Sequence, residues 1–338
     1  MFLSDNTVGF GINTKKVEGI NLPYGEDLFS RELLNKLREI FNYNIYYLLV
    51  PTGTFANSLI LTSLASQYGV IFCSKIAHII DWECNAPQAF NPGVKVCQLD
   101  TSQEGKISVK SISKQIELYN KMNSKFCGVP SVVTITNPTE VGTLYKIEEI
   151  KEISNYCKIN QLSLHIDGAR LMYANEVYKK SINYHTTDCG IDGVSFGLTK
   201  SGSICGELAV FFNEKSYLIA KHKQKQLGGN FSKQSFFAND ILCKLVSGQY
   251  SQVARKGIEV AKKIEQKISC DGLKILYPVE TNQIFLEVYN KEIIKKLENS
   301  SLIFYKWPNL DNKYIVRLIC HNEIYDRDIN RIIKILSI

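Results

Sequence analysis

Two strand-like runs that each end in a charged loop constrain this chain more than any other feature. Residues 162–166 alternate as a buried strand does. Asp167-Gly168 then delivers a carboxylate at its C-terminal end, with Arg170 just beyond. Residues 191–196 read as a second strand, and Lys200 follows it between Thr199 and the small pair Ser201-Gly202. In an open α/β sheet, ligands collect outside the carboxyl ends of the strands. The pattern therefore asks for a sheet that gathers an acid, a guanidinium and a lysine at one end.

Other segments continue the alternation. Ser30 can cap a helix whose Leu33, Leu34, Leu37, Ile40 and Phe41 share a face. Residues 45–50 form an apolar strand, followed by Pro51-Thr52-Gly53-Thr54 and a helix from about 55 to 67. Strands are expected over 70–74 and 132–136, and a helix around Ile147, Ile150, Ile153 and Cys157 precedes the Asp167 strand. Strands alternating with helices imply an α/β fold with a mostly parallel central sheet and flanking helices. After about residue 240 the pattern changes to a long helix, strands near 283–288 and 315–320, and a terminal helix. The 338 residues thus divide into a polar N-terminal arm (1–20), a large domain (21–240) and a small C-terminal α+β domain (241–338).

Composition excludes several classes. Hydrophobic content of 45% and charged content of 22% are those of a globular protein, and the 45–50 run is strand-sized, so no membrane span is expected. The opening Met-Phe-Leu-Ser-Asp-Asn lacks the basic and long apolar regions of a signal peptide. None of the 10 cysteines forms a Cys-x-x-Cys pair, and Cys73, Cys97 and Cys157 lie in apolar segments; reduced thiols in a cytosolic protein are expected. Five scattered histidines show no zinc spacing, so no metal is expected. The net charge of +7 is spread out. Its densest cluster, residues 221–225, reads as a solvated helix face without the aromatic platform of a nucleic-acid site.

Thr52-Gly53-Thr54 adds a third chemical element. Unpaired N–H groups at a helix start, a glycine that allows close approach and flanking hydroxyls make a phosphate cradle. With Asp167 and Lys200 it supplies a phosphate anchor, an anion for a pyridinium nitrogen and a Schiff-base lysine, the needs of pyridoxal phosphate. A competing motif is Gly193-Val194-Ser195-Phe196-Gly197, which matches the G-x-S-x-G nucleophile elbow of α/β-hydrolases, with Asp311 and His321 following in triad order. That motif needs a helix next, whereas residues 199–206 are mostly small and lead into a strand-like 208–212.

The sequence resembles the low-specificity L-threonine aldolases, pyridoxal-phosphate enzymes of the β-eliminating lyase group with the aspartate aminotransferase (type I) fold. The resemblance runs nearly end to end. It is carried by Ser4-Asp5-Asn6, Tyr24-Gly25-Glu26-Asp27, Thr52-Gly53-Thr54 with Ala56-Asn57, Ala77-His78-Ile79 and Glu83-Cys84. It continues in Thr139-Glu140-Val141-Gly142-Thr143, His165-Ile166-Asp167-Gly168-Ala169-Arg170, Ser195-Phe196-Gly197 with Thr199-Lys200, Ser232-Lys233, and Tyr305-x-Trp307-Pro308 with Arg317-Leu318.

The resemblance implies a lysine–cofactor Schiff base at Lys200, a pyridine partner in Asp167, and phosphate contacts from Gly53 and Thr54 with Thr52 and Thr199 nearby. It implies that His78 stacks on the ring and that Ser4, Arg170 and Arg317 grip the substrate carboxylate; the base is left open, with His78, directly or through water, as the candidate. Tyr24 would lie near the site, and Lys233 would reach the phosphate of a neighbouring subunit, in a homodimer or homotetramer with shared sites. His165, on the strand face of Asp167, is expected to support it. The implied reaction is cleavage of L-threonine or L-allo-threonine to glycine and acetaldehyde. The alternative is another type I enzyme acting on a different β-hydroxy or β-substituted amino acid. Two departures stand out. Trp82 and Glu83 occupy the fourth and fifth positions after His78, where many relatives carry Asp then Glu, and Pro138-Thr139-Glu140 replaces a loop that holds a second histidine in other members.

Overall fold

Short apolar runs bounded by turns assemble one seven-stranded sheet from β1 (Tyr46–Val50), β2 (Gly69–Ser74), β3 (Lys95–Leu99), β4 (Val129–Thr136), β5 (Ser163–Gly168), β6 (Gly193–Phe196) and β7 (Glu207–Phe211). The computed structural model describes every residue except 8, 10, 13, 16–18, 20, 123–125, 269–271, 310 and 338. The strand order is β1-β7-β6-β5-β4-β2-β3. The strands from β3 to β6 pair in parallel, and β7 and β1 close one side antiparallel. β2 and β6 are buried along their whole length, as strands covered on both faces must be. The sequence reading had no counterpart of β3, an edge strand whose residues are mostly only partly buried.

Two helix starts differ from expectation. The Leu28–Phe41 helix is capped by Asp27, whose carboxylate accepts both the N–H (2.9 Å) and the hydroxyl (2.7 Å) of Ser30. Ser30 therefore sits inside the first turn. The next helix runs from Gly53 to Leu64, starting two residues earlier than expected because Thr52 takes the cap position. Its Ala56, Leu59 and Ile60 pack with Ala209 and Phe211 of β7. Gly193 makes that approach possible: a Cβ there would lie 2.6 Å from the Ile60 side chain.

A second sheet, β10-β11-β9-β8, is wholly antiparallel and is built from β8 (Leu273–Ile275), β9 (Gln283–Val288), β10 (Tyr305–Trp307) and β11 (Tyr314–Ile319). It has its own apolar core. The boundary expected at residues 240/241 falls inside the Gln234–Ser247 helix, whose Ala238, Ile241 and Leu242 belong to the larger core. The changeover occurs along the following helix, Gln249–Lys267. Its Tyr250 and Ala254 pack in the large core, and its Val260, Ala261 and Ile264 in the small one. Among the described residues no helix is long and apolar enough to cross a membrane.

The expected polar arm falls partly on residues outside those described, but its first residues are anchored. Phe2 is fully buried in the small core, donates its N–H to the Ile303 carbonyl and accepts from the Ile319 N–H. The chain start thus extends the small sheet and carries Ser4-Asp5-Asn6 toward the C-terminal ends of β5 and β6. Phe2→Ala should destabilise the protein by about 3 kcal/mol, the usual cost of deleting a buried phenyl ring. Urea unfolding checks this, and a midpoint indistinguishable from wild type would mean that the start of the chain carries no packing energy.

Candidate active site

Register places the site. Thr136, Asp167 and Ser195 are paired across β4, β5 and β6, so they stand side by side on one face near the strand ends. One step back on that face, His165 bridges Thr134 Oγ1 (2.9 Å, from Nδ1) and Ser195 Oγ (3.0 Å, from Nε2). Burial lowers the His165 pKa to about 4, so the ring is a neutral strut. Asp167, itself buried, accepts the Ala169 N–H (3.0 Å) and the Asn57 amide (2.9 Å).

The same Asn57 amide reaches Glu83 Oε1 (2.9 Å), and that oxygen meets His78 Nδ1 at 2.8 Å. A carboxylate accepts, so it fixes the proton on Nδ1 and leaves Nε2 as the acceptor of the half-exposed imidazole. Asp167, Asn57, Glu83 and His78 form one network. In the sequence Asn57 and Glu83 stand within family motifs, and neither has a role legible there. The only signal was the spacing that puts Glu83 just after the His78–Asp81 helix.

At the Gly53–Leu64 helix start, the Thr52 hydroxyl accepts the Phe55 N–H (3.1 Å). Its oxygen caps the helix, and its O–H remains a donor at the cavity wall. The N–H groups of Gly53 and Thr54 are the unclaimed ones at this end. An added Cβ on Gly53 would meet nothing within 4 Å, so the space in front of the helix is open. Lys200 sits in the turn Thr199–Ser201 after β6. Burial first, and then the Arg170 guanidinium, lower its pKa below the ordinary lysine value. Beside it Glu207 accepts the Leu198 N–H, and burial raises its pKa.

These groups line a cavity of about 320 Å³ that includes Thr52, Gly53, Thr54, Thr199 and Asn6 along with His78, Glu83, Glu140, Asp167, Arg170 and Lys200. Other expected residues are placed differently. Arg170 forks onto buried Asp5 (Nε–Oδ2 2.7 Å, Nη2–Oδ1 3.0 Å), so two of its N–H donors are already committed. Ser4, next to the cavity-lining Asn6, accepts that residue's N–H at 3.1 Å.

Arg317 on β11 lies outside the lining. It stacks over Tyr305 (4.9 Å) and Trp307 (5.2 Å), and its buried Nε has no hydrogen-bond partner. Burial, then Arg170, lowers its pKa to about 10. Trp82 caps this cluster, 6.0 Å from Trp307 and 6.2 Å from Tyr305. Tyr24 and Lys233 do not reach the cavity of their own chain. Tyr24 is exposed, lies under Lys225 (4.5 Å) and donates its N–H to Ser232, beside exposed Lys233.

The hydrolase arrangement is not assembled. Ser195 lies within buried β6 and bonds His165, while His321 donates to the Met1 carbonyl (2.8 Å) and Asp311 is exposed beside Lys313. Gly197 serves packing: a Cβ there would come within 2.4 Å of the Ala169 backbone.

A family model described as "Beta-eliminating lyase" matches residues 2–291. The chain is 33% identical to a low specificity L-threonine aldolase of Pseudomonas sp. over 90% of this chain and 88% of that protein. It is 31% identical to the low specificity L-threonine aldolase of Pseudomonas aeruginosa over 98% and 94%. Its structure superimposes on a Leishmania major threonine aldolase with a TM-score of 0.88 at 23% identity, covering 99% and 98% of the two chains.

Proposed function

Because the chain belongs to the beta-eliminating lyase family, we propose that it is a pyridoxal-phosphate-dependent aldehyde-lyase. It cleaves L-threonine and L-allo-threonine between Cα and Cβ to give glycine and acetaldehyde. One observation carries the reading: a single cavity joins a helix start with unclaimed N–H groups, the Asp167 carboxylate and a lysine whose charge is disfavoured. The donor set fits the cofactor, because open space in front of Gly53 admits a phosphate and Asp167 has the charge to face a pyridinium. The relatives favour this reaction over other β-substituted substrates and over hydrolysis.

Bound pyridoxal phosphate supplies an aldehyde for the substrate amine and a protonated ring that accepts the electron pair of the broken bond. The chain's own residues do the rest. Gly53 and Thr54 donate N–H groups to the phosphate, and Asp167 holds a proton at the ring nitrogen. Lys200, favoured as a neutral amine by burial, supplies the nucleophilic nitrogen. His78 Nε2 takes the β-hydroxyl proton, directly or through water, while Nδ1–H stays on Glu83. Arg317, an unpaired and partly desolvated cation, receives the substrate carboxylate with Ser4, and Arg170 adds the donors that Asp5 leaves free. Tyr24 and Lys233 belong to the same reading as contributions to the site of a second copy, in a homodimer or homotetramer. The described cysteines are all free, which fits a cytosolic enzyme.

Borohydride reduction of the purified protein should abolish a visible absorption band and leave a pyridoxyl adduct that maps to Lys200. An adduct on Lys75 or Lys233 instead, or no visible band, would sink the assignment. Arg317→Ala should raise KM for threonine by roughly tenfold or more, since a charge-assisted hydrogen bond contributes about 1.5–3 kcal/mol; unchanged kinetic constants would make Arg317 a structural cation only. Lys200→Ala subunits refolded together with Lys233→Ala subunits should regain activity if sites are shared, because each mixed dimer then has one site with both lysines. A mixture no more active than its parents would place each site within one chain.

A further inference from the structure

We propose that Glu140 works as a neutral carboxylic acid whose Oε2–H donates a hydrogen bond to a negatively charged oxygen of the ligand in the cavity. The proposal rests on the reading that the cavity takes an amino acid and pyridoxal phosphate. It concerns a residue to which that reading gives no task.

The two oxygens of Glu140 have unlike surroundings. Oε1 accepts twice, from Thr136 Oγ1 (2.7 Å) and from the backbone N–H of His78 (3.0 Å). Those bonds tie the loop after β4 to the start of the His78–Asp81 helix and fix the direction of the carboxyl group. Oε2 is buried and has no hydrogen-bond partner, and the residue lines the cavity. A desolvated anionic oxygen without a donor is costly, whereas the same oxygen carrying a proton needs only an acceptor. Among the described residues no group supplies that acceptor, and a ligand oxygen in the cavity would.

The charged neighbours point the same way. Among the described residues no lysine or arginine pairs with Glu140, and Asp167, on the adjacent β5, disfavours a second negative charge. The other titratable groups around it are Cys73 of β2 and Tyr145, both pushed upward by burial and so neutral, and His78 of the short helix. Burial is the leading cause that moves the Glu140 pKa up to about 7, against the pull of the Thr136 and His78 donors. Two ligand oxygens have the required chemistry, the phenolic oxygen of pyridoxal phosphate and the β-oxygen of the substrate. Both are anionic or become so during the reaction.

Glu140→Gln decides between the roles, because the amide keeps a neutral donor beside an acceptor and cannot ionise. The ratio of wild-type to variant kcat/KM for threonine should be near one at pH 6. It should fall by about threefold or more by pH 8.5, as the wild type loses its proton and the variant does not. The holoenzyme spectrum, titrated without amino acid, locates the acceptor: a wild-type shift absent from Glu140→Gln assigns the phenolic oxygen, and identical spectra with the same kinetic difference assign the β-oxygen. A ratio constant at one would leave Glu140 only a brace for His78, and a variant inactive at every pH would require a charged carboxylate. Either result overturns the proposal. A second check uses the infrared band of protonated carboxyl groups in apoprotein carrying Glu207→Gln, which silences the buried glutamate beside Lys200 whose pKa is also raised. That band should disappear with a midpoint near pH 7, and its absence at pH 6 overturns the proposal as well. A missing visible band on cofactor addition would instead sink the pyridoxal phosphate reading, so the two failures are distinguishable.

Discussion

A buried carboxylate at the end of the central strand organises this site. Desolvating Asp167 costs several kcal/mol unless donors surround it, and the fold supplies them from two directions. The Ala169 N–H comes from the turn that ends β5, and the Asn57 amide comes from the helix packed above β6 and β7. Because Asn57 also bonds Glu83, the position of the anion is transmitted to His78 at the start of the short helix after β2.

Around that anion the charge states follow from pairing. Asp5 is buried as deeply as any acid here, yet its pKa lies below the ordinary value: burial raises it, and the Arg170 fork and Lys200 outweigh that effect. Glu140 and Glu207 have no such cation fork, and burial moves both upward. Lys200 is driven toward the neutral amine by the same desolvation, reinforced by Arg170. A compact cavity can therefore hold several acids and bases without accumulating like charge, since each unpaired group is shifted toward its neutral form.

The two sheets and their cores come together around this arrangement. Phe2 is fixed in the small core, and three residues later Asp5 engages Arg170 of the large domain and also accepts from Asn282. Trp82 from the large domain meets Tyr305 and Trp307, which in turn hold Arg317. Both arginines are thus held by residues far apart in the chain.

The sequence by itself determined the strand-and-helix alternation, the delivery of Asp167 and Lys200 at strand ends, and the helix start at Thr52-Gly53-Thr54. Each is a local signal: period-two burial, a short apolar run or a capping residue leaves its mark within a few positions. It mistook Ser30 for a cap because Asp27, three residues earlier, is an equally good acceptor, and it missed β3 because an edge strand is only half buried. The tertiary structure alone decided that Glu83 holds His78 and is linked by Asn57 to Asp167, that Asp5 occupies Arg170, that Glu140 keeps an oxygen unpartnered among the described residues, and that Tyr24 and Lys233 lie away from their own chain's cavity. Those are contacts between residues distant in sequence, and the burial that shifts a carboxyl or an amine exists only once the chain has closed around it.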